Sequence, residues 1–81
     1  MVETPEVEIE FCVHCRFLLR ALWLTRELMQ AHQERIGALR LVPSSGGVFV
    51  VRVDGEVAFS RKEAGRFPEP KELKALVAAR L

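Results

Sequence analysis

The two cysteines of this 81-residue chain, Cys12 and Cys15, lie where two differently patterned segments meet. An alternating segment, residues 7–11, precedes them, and an apolar-rich segment, residues 17–29, follows them. This pattern predicts a strand, a turn that holds two thiols, and a helix. The start of a helix has unpaired backbone N–H groups and the positive end of a dipole, which favour a thiolate. Because the thiolate is the reactive form of cysteine, the spacing indicates thiol redox chemistry.

The composition is typical of one small globular domain, with 49% hydrophobic residues, 28% charged residues and a formal net charge of +1. This charge balance gives no reason to expect nucleic acid or a membrane surface as a partner. No apolar run reaches the roughly 18 residues that span a bilayer, and the N-terminus is too polar for a signal peptide. We therefore expect a cytoplasmic protein, in which a cysteine pair is more often reactive or metal-binding than a permanent crosslink.

Two other interpretations of the cysteine pair stay open: inert, half-buried thiols, or ligands of zinc. A zinc site is harder to build, because the chain offers one cysteine pair and two histidines, and His32 is several helical turns from the motif. We expect no metal and no bound cofactor. His14, between the thiols, either stabilises a thiolate as an imidazolium or is a solvated loop residue.

The remaining pattern predicts a flexible tail over residues 1–5 and one domain over residues 6–81. Strands are expected over residues 7–11, 39–42, 48–53 and 56–59, with a hairpin turn at Asp54-Gly55; helices are expected over residues 16–35 and after Pro68 and Pro70. The β-α-β-β-β-α order predicts an α/β two-layer fold. Its sheet should be four-stranded and mixed, with both helices on one face.

Helical periodicity separates two sides of the first helix. The residues expected to face the core are Phe17, Ala21, Leu24 and Leu28, with Leu18, Leu22 and Met29 beside them. Leu19 and Trp23 fall on the opposite, polar side, where a pair of apolar side chains close to the thiols is expected to dock a partner or a second copy of the chain. In the fourth strand, Val57 and Phe59 are expected to share one face.

The predicted strand directions bring three loops to the end of the sheet that holds the thiols. The first contains the cysteines, and the second is a turn of small residues: Pro43, Ser44, Ser45, Gly46 and Gly47. The third, residues 60–67, contains Arg61, Lys62 and Arg66 and ends at Phe67; its charges are either part of the site or simply solvated. We expect the turn of small residues and Phe67 to form a groove for a substrate or partner, in which a small acidic thiol such as glutathione would fit.

Taken together, these residues resemble the selenoprotein W-like family, in a bacterial form with cysteine in place of selenocysteine. The segments that carry the resemblance are Val7-Glu8-Ile9-Glu10-Phe11-Cys12 with Cys15, Leu41-Val42-Pro43 with Gly46-Gly47-Val48-Phe49, Val53-Asp54-Gly55, and Arg61-Lys62 through Gly65 and Phe67-Pro68 to Lys71-Glu72-Leu73. The resemblance implies a thioredoxin-like fold and a role in cell redox homeostasis linked to glutathione. Arg16 stands where many relatives carry a small residue, and it adds positive charge beside the thiols.

The resemblance does not decide which thiol attacks. In selenocysteine-containing members the special residue is at the position of Cys15, whereas thioredoxins attack with the cysteine at the position of Cys12. We expect the more exposed thiol to attack and the other to resolve. A cis peptide bond before Pro43, common in thioredoxin-like folds, also stays open.

The leading hypothesis is a small thiol–disulfide redox protein that uses Cys12 and Cys15 as a dithiol/disulfide couple. Its expected partners are proteins that carry a disulfide or a glutathionyl group, with glutathione as a co-substrate and a second copy as a further candidate. Neither nucleic acid nor a membrane is expected as a partner. The alternative is a non-enzymatic redox-sensing module, in which the thiol state controls the binding of a partner through Leu19 and Trp23.

Overall fold

The computed structural model describes residues 4–81. The elements follow one another as β1 (Glu6–Cys12), α1 (Leu18–His32), β2 (Ala38–Ser44), β3 (Phe49–Val53), β4 (Glu56–Ser60), α2 (Arg61–Ala64) and α3 (Pro70–Ala78). The expected order is confirmed, with a single helical turn, α2, in the segment expected to be a loop. Residues 1–3 of the expected tail lie outside the described part. At the last residue of the expected tail, the Pro5 carbonyl accepts hydrogen bonds from the N–H groups of Gly37 and Ala38.

The four strands form one mixed sheet in the order β2-β1-β3-β4. Strand β1 is parallel to β2 and antiparallel to β3, and β3 is antiparallel to β4. Strands β1, β2 and β4 therefore all finish at the same end of the sheet. The strand directions alone bring the motif, the turn after β2 and the segment after β4 to this end, as the sequence predicts.

The core lies between one face of the sheet and the helices α1 and α3. Every second residue of β1 is buried, starting at Val7, because successive side chains of a strand point to opposite faces. The fully buried core residues from the strands and helices include Val7, Ile9, Phe49, Val51, Ala21, Leu28, Leu73 and Val77. Both helices thus pack on one face, as expected. No helix among residues 4–81 is long and apolar enough to cross a bilayer.

Helix α1 is shorter than the sequence predicts. It begins two residues later than expected, at Leu18, because Arg16 has a left-handed backbone (φ 61°) and Phe17 is the N-cap residue. It ends at His32, whose Nε2 lies 3.1 Å from the carbonyl oxygen of Lys74 in α3. The helix is therefore separated from the cysteine motif by a short turn, and its far end is joined to α3.

The other face of the sheet carries a ladder of alternating charges. Arg52 donates from Nη1 to carboxylate oxygens of Glu8 and Glu10, both at 2.9 Å, and Arg40 pairs with Glu8 on the opposite side. Each pair is partly exposed, so solvent screens the attraction and limits its contribution to stability. The ladder neutralises the centre of this face.

Strand β4 corrects one prediction, because Val57 and Phe59 do not share a face. The register places Phe59 opposite Val51 and Val57 opposite Arg52, so Ala58 is an extra residue in β4. Such a β-bulge shifts the register by one residue and turns the next side chain to the other face. Phe59 is consequently buried in the core, whereas Val57 is exposed beside Arg52.

Strand β2 extends further than expected and includes two residues of the predicted turn. Pro43 lies opposite Phe11, and Ser44 lies opposite Cys12. Proline has no N–H to donate, and it is tolerated here because β2 is an edge strand of the sheet. The peptide bond before Pro43 is trans.

Candidate redox-active site

Cys12 is the last residue of β1, and the neighbouring strands hold it in place. Its N–H donates to the carbonyl oxygen of Val48 at 2.8 Å. The next N–H, that of Val13, donates to the carbonyl oxygen of Ser44 at 3.0 Å. The backbone on both sides of the first cysteine is thus tied to the segments that border β3 and β2, which gives the motif a rigid base.

The chain then folds back in a tight turn that brings Cys15 to Cys12. The N–H of Arg16 donates to the Val13 carbonyl at 3.0 Å, and the N–H of Phe17 donates to the Cys12 carbonyl at 3.3 Å. The two cysteines form a disulfide, with their Cα atoms 5.3 Å apart, an ordinary separation for such a bond. The turn therefore brings Cys15 within bonding distance of Cys12, which the sheet holds in place.

The two sulfur-bearing residues differ in their access to solvent. Cys12 is only 1% exposed, because it ends a strand that is flanked on both sides. Cys15, on the turn, is exposed. A second molecule therefore meets Cys15 first, whereas Cys12 is reached only from within the motif.

The cysteines lie outside the first turn of α1, so the expectation that the helix start stabilises a thiolate is wrong. Helix α1 begins three residues after Cys15, and the helix dipole acts mainly within the first turn. A donor within the turn reaches a sulfur atom instead: the N–H of Cys15 lies 3.3 Å from Sγ of Cys12. His14 and Arg16, the two predicted tuning residues, are both exposed on the turn.

An apolar groove opens beside the turn. It is lined by Phe11 and Pro43 of the sheet, by Val13 and Arg16 of the turn, and by Leu18 and Leu19 of α1. The volume of this open groove is about 640 Å³. Since Val13 and Arg16 also belong to the cysteine turn, a molecule in the groove would lie next to Cys15.

The groove continues onto an exposed apolar surface, which we call the α1 docking face. It consists of Leu18, Leu19, Leu22 and Trp23, whose exposed fractions are 46%, 77%, 45% and 45%. The expected exposure of Leu19 and Trp23 is confirmed. Leu18 and Leu22 were expected beside the core, and the structure corrects this: the buried stripe is narrower and contains only Ala21, Leu24 and Leu28.

An aromatic cluster lies at the first residues of α1. Phe67 packs edge-to-face on Phe17 and Phe49, with ring centroids 4.8 Å and 5.2 Å apart. The guanidinium of Arg20 lies 4.5 Å from the Phe67 centroid, and that of Arg61 lies 5.1 Å from the same ring. Phe67 therefore anchors the segment after β4 next to the motif. It does so by packing on the other aromatic rings, and it is not among the residues that line the apolar groove.

Comparison with known proteins shows the family of the chain. A family model described as the Rdx family matches residues 6–79. The chain belongs to the Rdx family. It is similar to a crystal structure of a selenoprotein W-related protein from Vibrio cholerae, with 38% identity over 91% of this chain and 92% of that one and a TM-score of 0.88. A crystal structure of a Bordetella parapertussis protein is similar at 39% identity over 95% and 98% of the two chains, with a TM-score of 0.92. None of the curated proteins matches the chain.

The expected resemblance to selenoprotein W-like proteins is thus confirmed, together with the fold. Membership of the Rdx family and the Cys12–Cys15 disulfide fit a thioredoxin-like redox role.

In this member of the Rdx family, the predicted groove residues lie in different places. Pro43 lines the apolar groove. The carbonyl oxygen of Ser44 accepts the hydrogen bond from the Val13 N–H. The hydrogen bond of the Ser44 side chain is the largest cause that lowers the pKa of Glu10, and the hydrogen bond from Arg52 is the next. Ser45 and Gly46 are exposed, and Gly46 and Gly47 both have φ of 75°, a backbone that glycine adopts freely. The roles of these residues as a substrate groove stay a prediction.

The basic residues of the segment after β4 also separate. Arg61 stacks on Phe17 and Phe67, and Arg66 donates to both carboxylate oxygens of Glu72 at 2.8 Å. Lys62 is exposed. Among residues 4–81, no three His, Cys, Asp or Glu side chains gather as metal ligands.

Sequence reasoning missed three residues of the site, Val13, Leu18 and Leu22. The signal for Leu18 and Leu22 is present in the sequence, since residues 17–24 contain apolar side chains on nearly every side of the helix, whereas Val13 in the turn has no such signal. A helix that is apolar all round is usually buried. One layer of helices on a four-stranded sheet covers only one side of α1, so the excess apolar residues had to be exposed or to meet a partner.

Proposed function

We propose that this chain is a thiol–disulfide redox protein in which Cys15 attacks and Cys12 resolves. The observation that carries the proposal is the unequal burial of the two cysteines: Cys15 is exposed, and Cys12 is 1% exposed. An attacking thiolate needs access to a disulfide on another molecule, whereas a resolving thiol needs only to reach its partner within the motif. The family's selenocysteine position, which corresponds to Cys15, supports the same assignment.

In the forward reaction, the Cys15 thiolate attacks one sulfur of a substrate disulfide. A bond forms between Cys15 and that sulfur, the substrate bond breaks, and the other substrate sulfur leaves as a thiolate. The Cys12 thiolate then attacks Sγ of Cys15, and the second substrate thiolate leaves. Two electrons have passed from the protein to the substrate, and the Cys12–Cys15 disulfide remains.

The oxidised protein is reset by an external thiol, which we propose to be glutathione or a dithiol protein such as thioredoxin. Two glutathione molecules supply the two electrons and leave as glutathione disulfide. The reducing cytoplasm, where thiols are regenerated, is the proposed compartment. Disulfide-bearing and glutathionylated proteins are the proposed substrates, and cell redox homeostasis is the proposed role.

Single-cysteine variants treated with glutathione disulfide test the proposal. The Cys12→Ser protein should retain one glutathionyl group on Cys15, because nothing resolves the mixed disulfide; mass spectrometry of the intact protein measures it. The Cys15→Ser protein should remain unmodified, and the wild type should end as the internal disulfide. An adduct on Cys15→Ser alone would reverse the two roles, and no adduct or disulfide in any of the proteins would exclude the function.

A second candidate function is redox sensing without turnover, which the exposed α1 docking face favours. In that case the state of the Cys12–Cys15 pair would change the affinity for a partner that covers this face. Capture of partners by the oxidised and the reduced protein distinguishes the two functions. Equal capture in both states, with reduction of glutathione disulfide, would leave only the redox enzyme.

A further inference from the structure

The α1 docking face combines its apolar side chains with positive charge that no nearby acidic residue in the same stretch of chain offsets. The chain has no acidic residue between Phe11 and Arg26, whereas Arg16, Arg20 and Arg26 fall in this range. None of these three arginines forms an ion pair within residues 4–81. Among the described residues outside this face, five cations are paired with glutamates and four others are not; the paired ones are Arg40, Arg52, Arg66, Lys74 and Arg80.

The unpaired arginines border the apolar surface. Arg16, the residue after Cys15, lines the groove. Arg26 follows Leu22 by one helical turn, and Arg20 lies between Leu19 and Trp23 along α1 with its guanidinium stacked on Phe67. All three are exposed. The face therefore has an apolar centre and a cationic rim, and one end of it is at the exposed cysteine.

We propose that the groove and the α1 docking face bind an apolar segment with acidic residues, on the protein whose disulfide or glutathionylated cysteine is the substrate. The proposal rests on the proposed function and names the class of its substrate. Apolar side chains of the segment fill the groove, and its carboxylates meet Arg16 and Arg26. Docking holds the target sulfur next to Cys15, which raises the effective concentration of the reacting groups.

Two other occupants fit this surface less well. A second copy would bring the same arginines face to face, and like charges across an interface oppose binding. Glutathione has carboxylates but no apolar side chain, so it leaves the groove and the leucines uncovered. A protein segment with both features is the occupant that the charge and the apolar character indicate together.

Three cysteine peptides that carry the same chromophoric thiol as a mixed disulfide provide the test. One has leucine and glutamate residues around its cysteine, one has leucine and lysine, and one has serine and glutamate. Release of the chromophore by the reduced wild-type protein gives the rate. We expect the leucine–glutamate peptide to react about tenfold faster than either of the others at low salt, with a smaller difference at high salt.

Variants then assign the effect to this face. Leu19→Ser should lower the rate for the leucine–glutamate peptide to that for the serine peptide, and Arg26→Glu should remove the preference for glutamate over lysine. Val57→Ser and Lys71→Glu change an exposed valine and an exposed lysine elsewhere, and they should leave all three rates unchanged.

The possible outcomes distinguish failure of the docking proposal from failure of the function on which it rests. Equal rates for the three peptides, with normal reduction of glutathione disulfide, would overturn docking and leave the function intact. No reaction with any disulfide would overturn the function itself. If sedimentation showed a wild-type dimer that Leu19→Ser makes monomeric, the face would bind a second copy, and the proposed occupant would be wrong.

Discussion

The backbone N–H of Cys15 points at the sulfur of Cys12, at a distance of 3.3 Å. This contact ties the exposed cysteine to the buried one within the turn. It also provides a hydrogen-bond donor for negative charge on the Cys12 sulfur when an incoming thiolate attacks Cys15 during reduction. Burial and this contact together give the two sulfurs different environments, although they are only three residues apart.

We expect the reduced protein to show this difference in alkylation. Cys15 should react with iodoacetamide about tenfold or more faster than Cys12, because alkylation requires an accessible thiolate. Peptide mapping by mass spectrometry after short exposures, over a range of pH, measures both rates. The Cys12→Ser and Cys15→Ser proteins serve as references for each site. Faster alkylation of Cys12 would contradict the proposed roles.

The left-handed backbone of Arg16 predicts a gain in stability from glycine. A residue with a Cβ is strained at its φ of 61°, whereas glycine is not. Oxidised Arg16→Gly should be about 0.5–1 kcal/mol more stable than oxidised Arg16→Ala, after allowing for the greater freedom of glycine in the unfolded chain. Urea denaturation measures the difference, and the alanine variant controls for the lost charge. Equal stability of the two variants would show that the turn relaxes without strain.

The ion pair of Arg66 with Glu72 predicts a pH dependence. The hydrogen bond from Arg66 lowers the pKa of Glu72 from 4.5 to about 2. Because the folded pKa is depressed, the stabilisation is present above pH 4.5 and is lost as the pH falls towards 2. The urea midpoint of Glu72→Gln should therefore be below that of the wild type at pH 7, and the difference should shrink in acid and at high salt.

Glu63→Gln is the matched control for this experiment. Glu63 is an exposed glutamate on α2 that has no ion-pair partner among residues 4–81. Its substitution should change the urea midpoint less at pH 7. A wild-type advantage over Glu72→Gln that stays constant from pH 7 to pH 2 would mean that the effect comes from helix capping by the side chain and not from its charge.

Much of this molecule could be predicted from local patterns. The alternation of Val7, Ile9 and Phe11 with glutamates predicted a half-buried strand, and the Asp54-Gly55 pair predicted the hairpin, because both signals depend on neighbouring residues only. The position of Cys12 and Cys15 between a strand and a helix followed from the same patterns. Strand directions then placed the turn after β2 and the segment after β4 near the thiols.

Other features depend on residues that are distant in the chain. A bulge at Ala58 separates Val57 from Phe59, and it is visible only in the pairing with β3. Leu18 and Leu22 are exposed because the sheet and α3 cover only one side of α1. Helical periodicity alone does not predict how wide the covered side is.

The sequence by itself thus determined that this is an α/β protein with a pair of thiols at a strand-to-helix junction, since residue spacing sets local structure. Only the tertiary structure decided which thiol is accessible. Cys12 is buried because β2 and β3 flank the end of β1, and Cys15 is exposed because the turn lifts it beyond the sheet. Solvent access depends on what surrounds a residue in space, and the spacing of two cysteines carries no information about it.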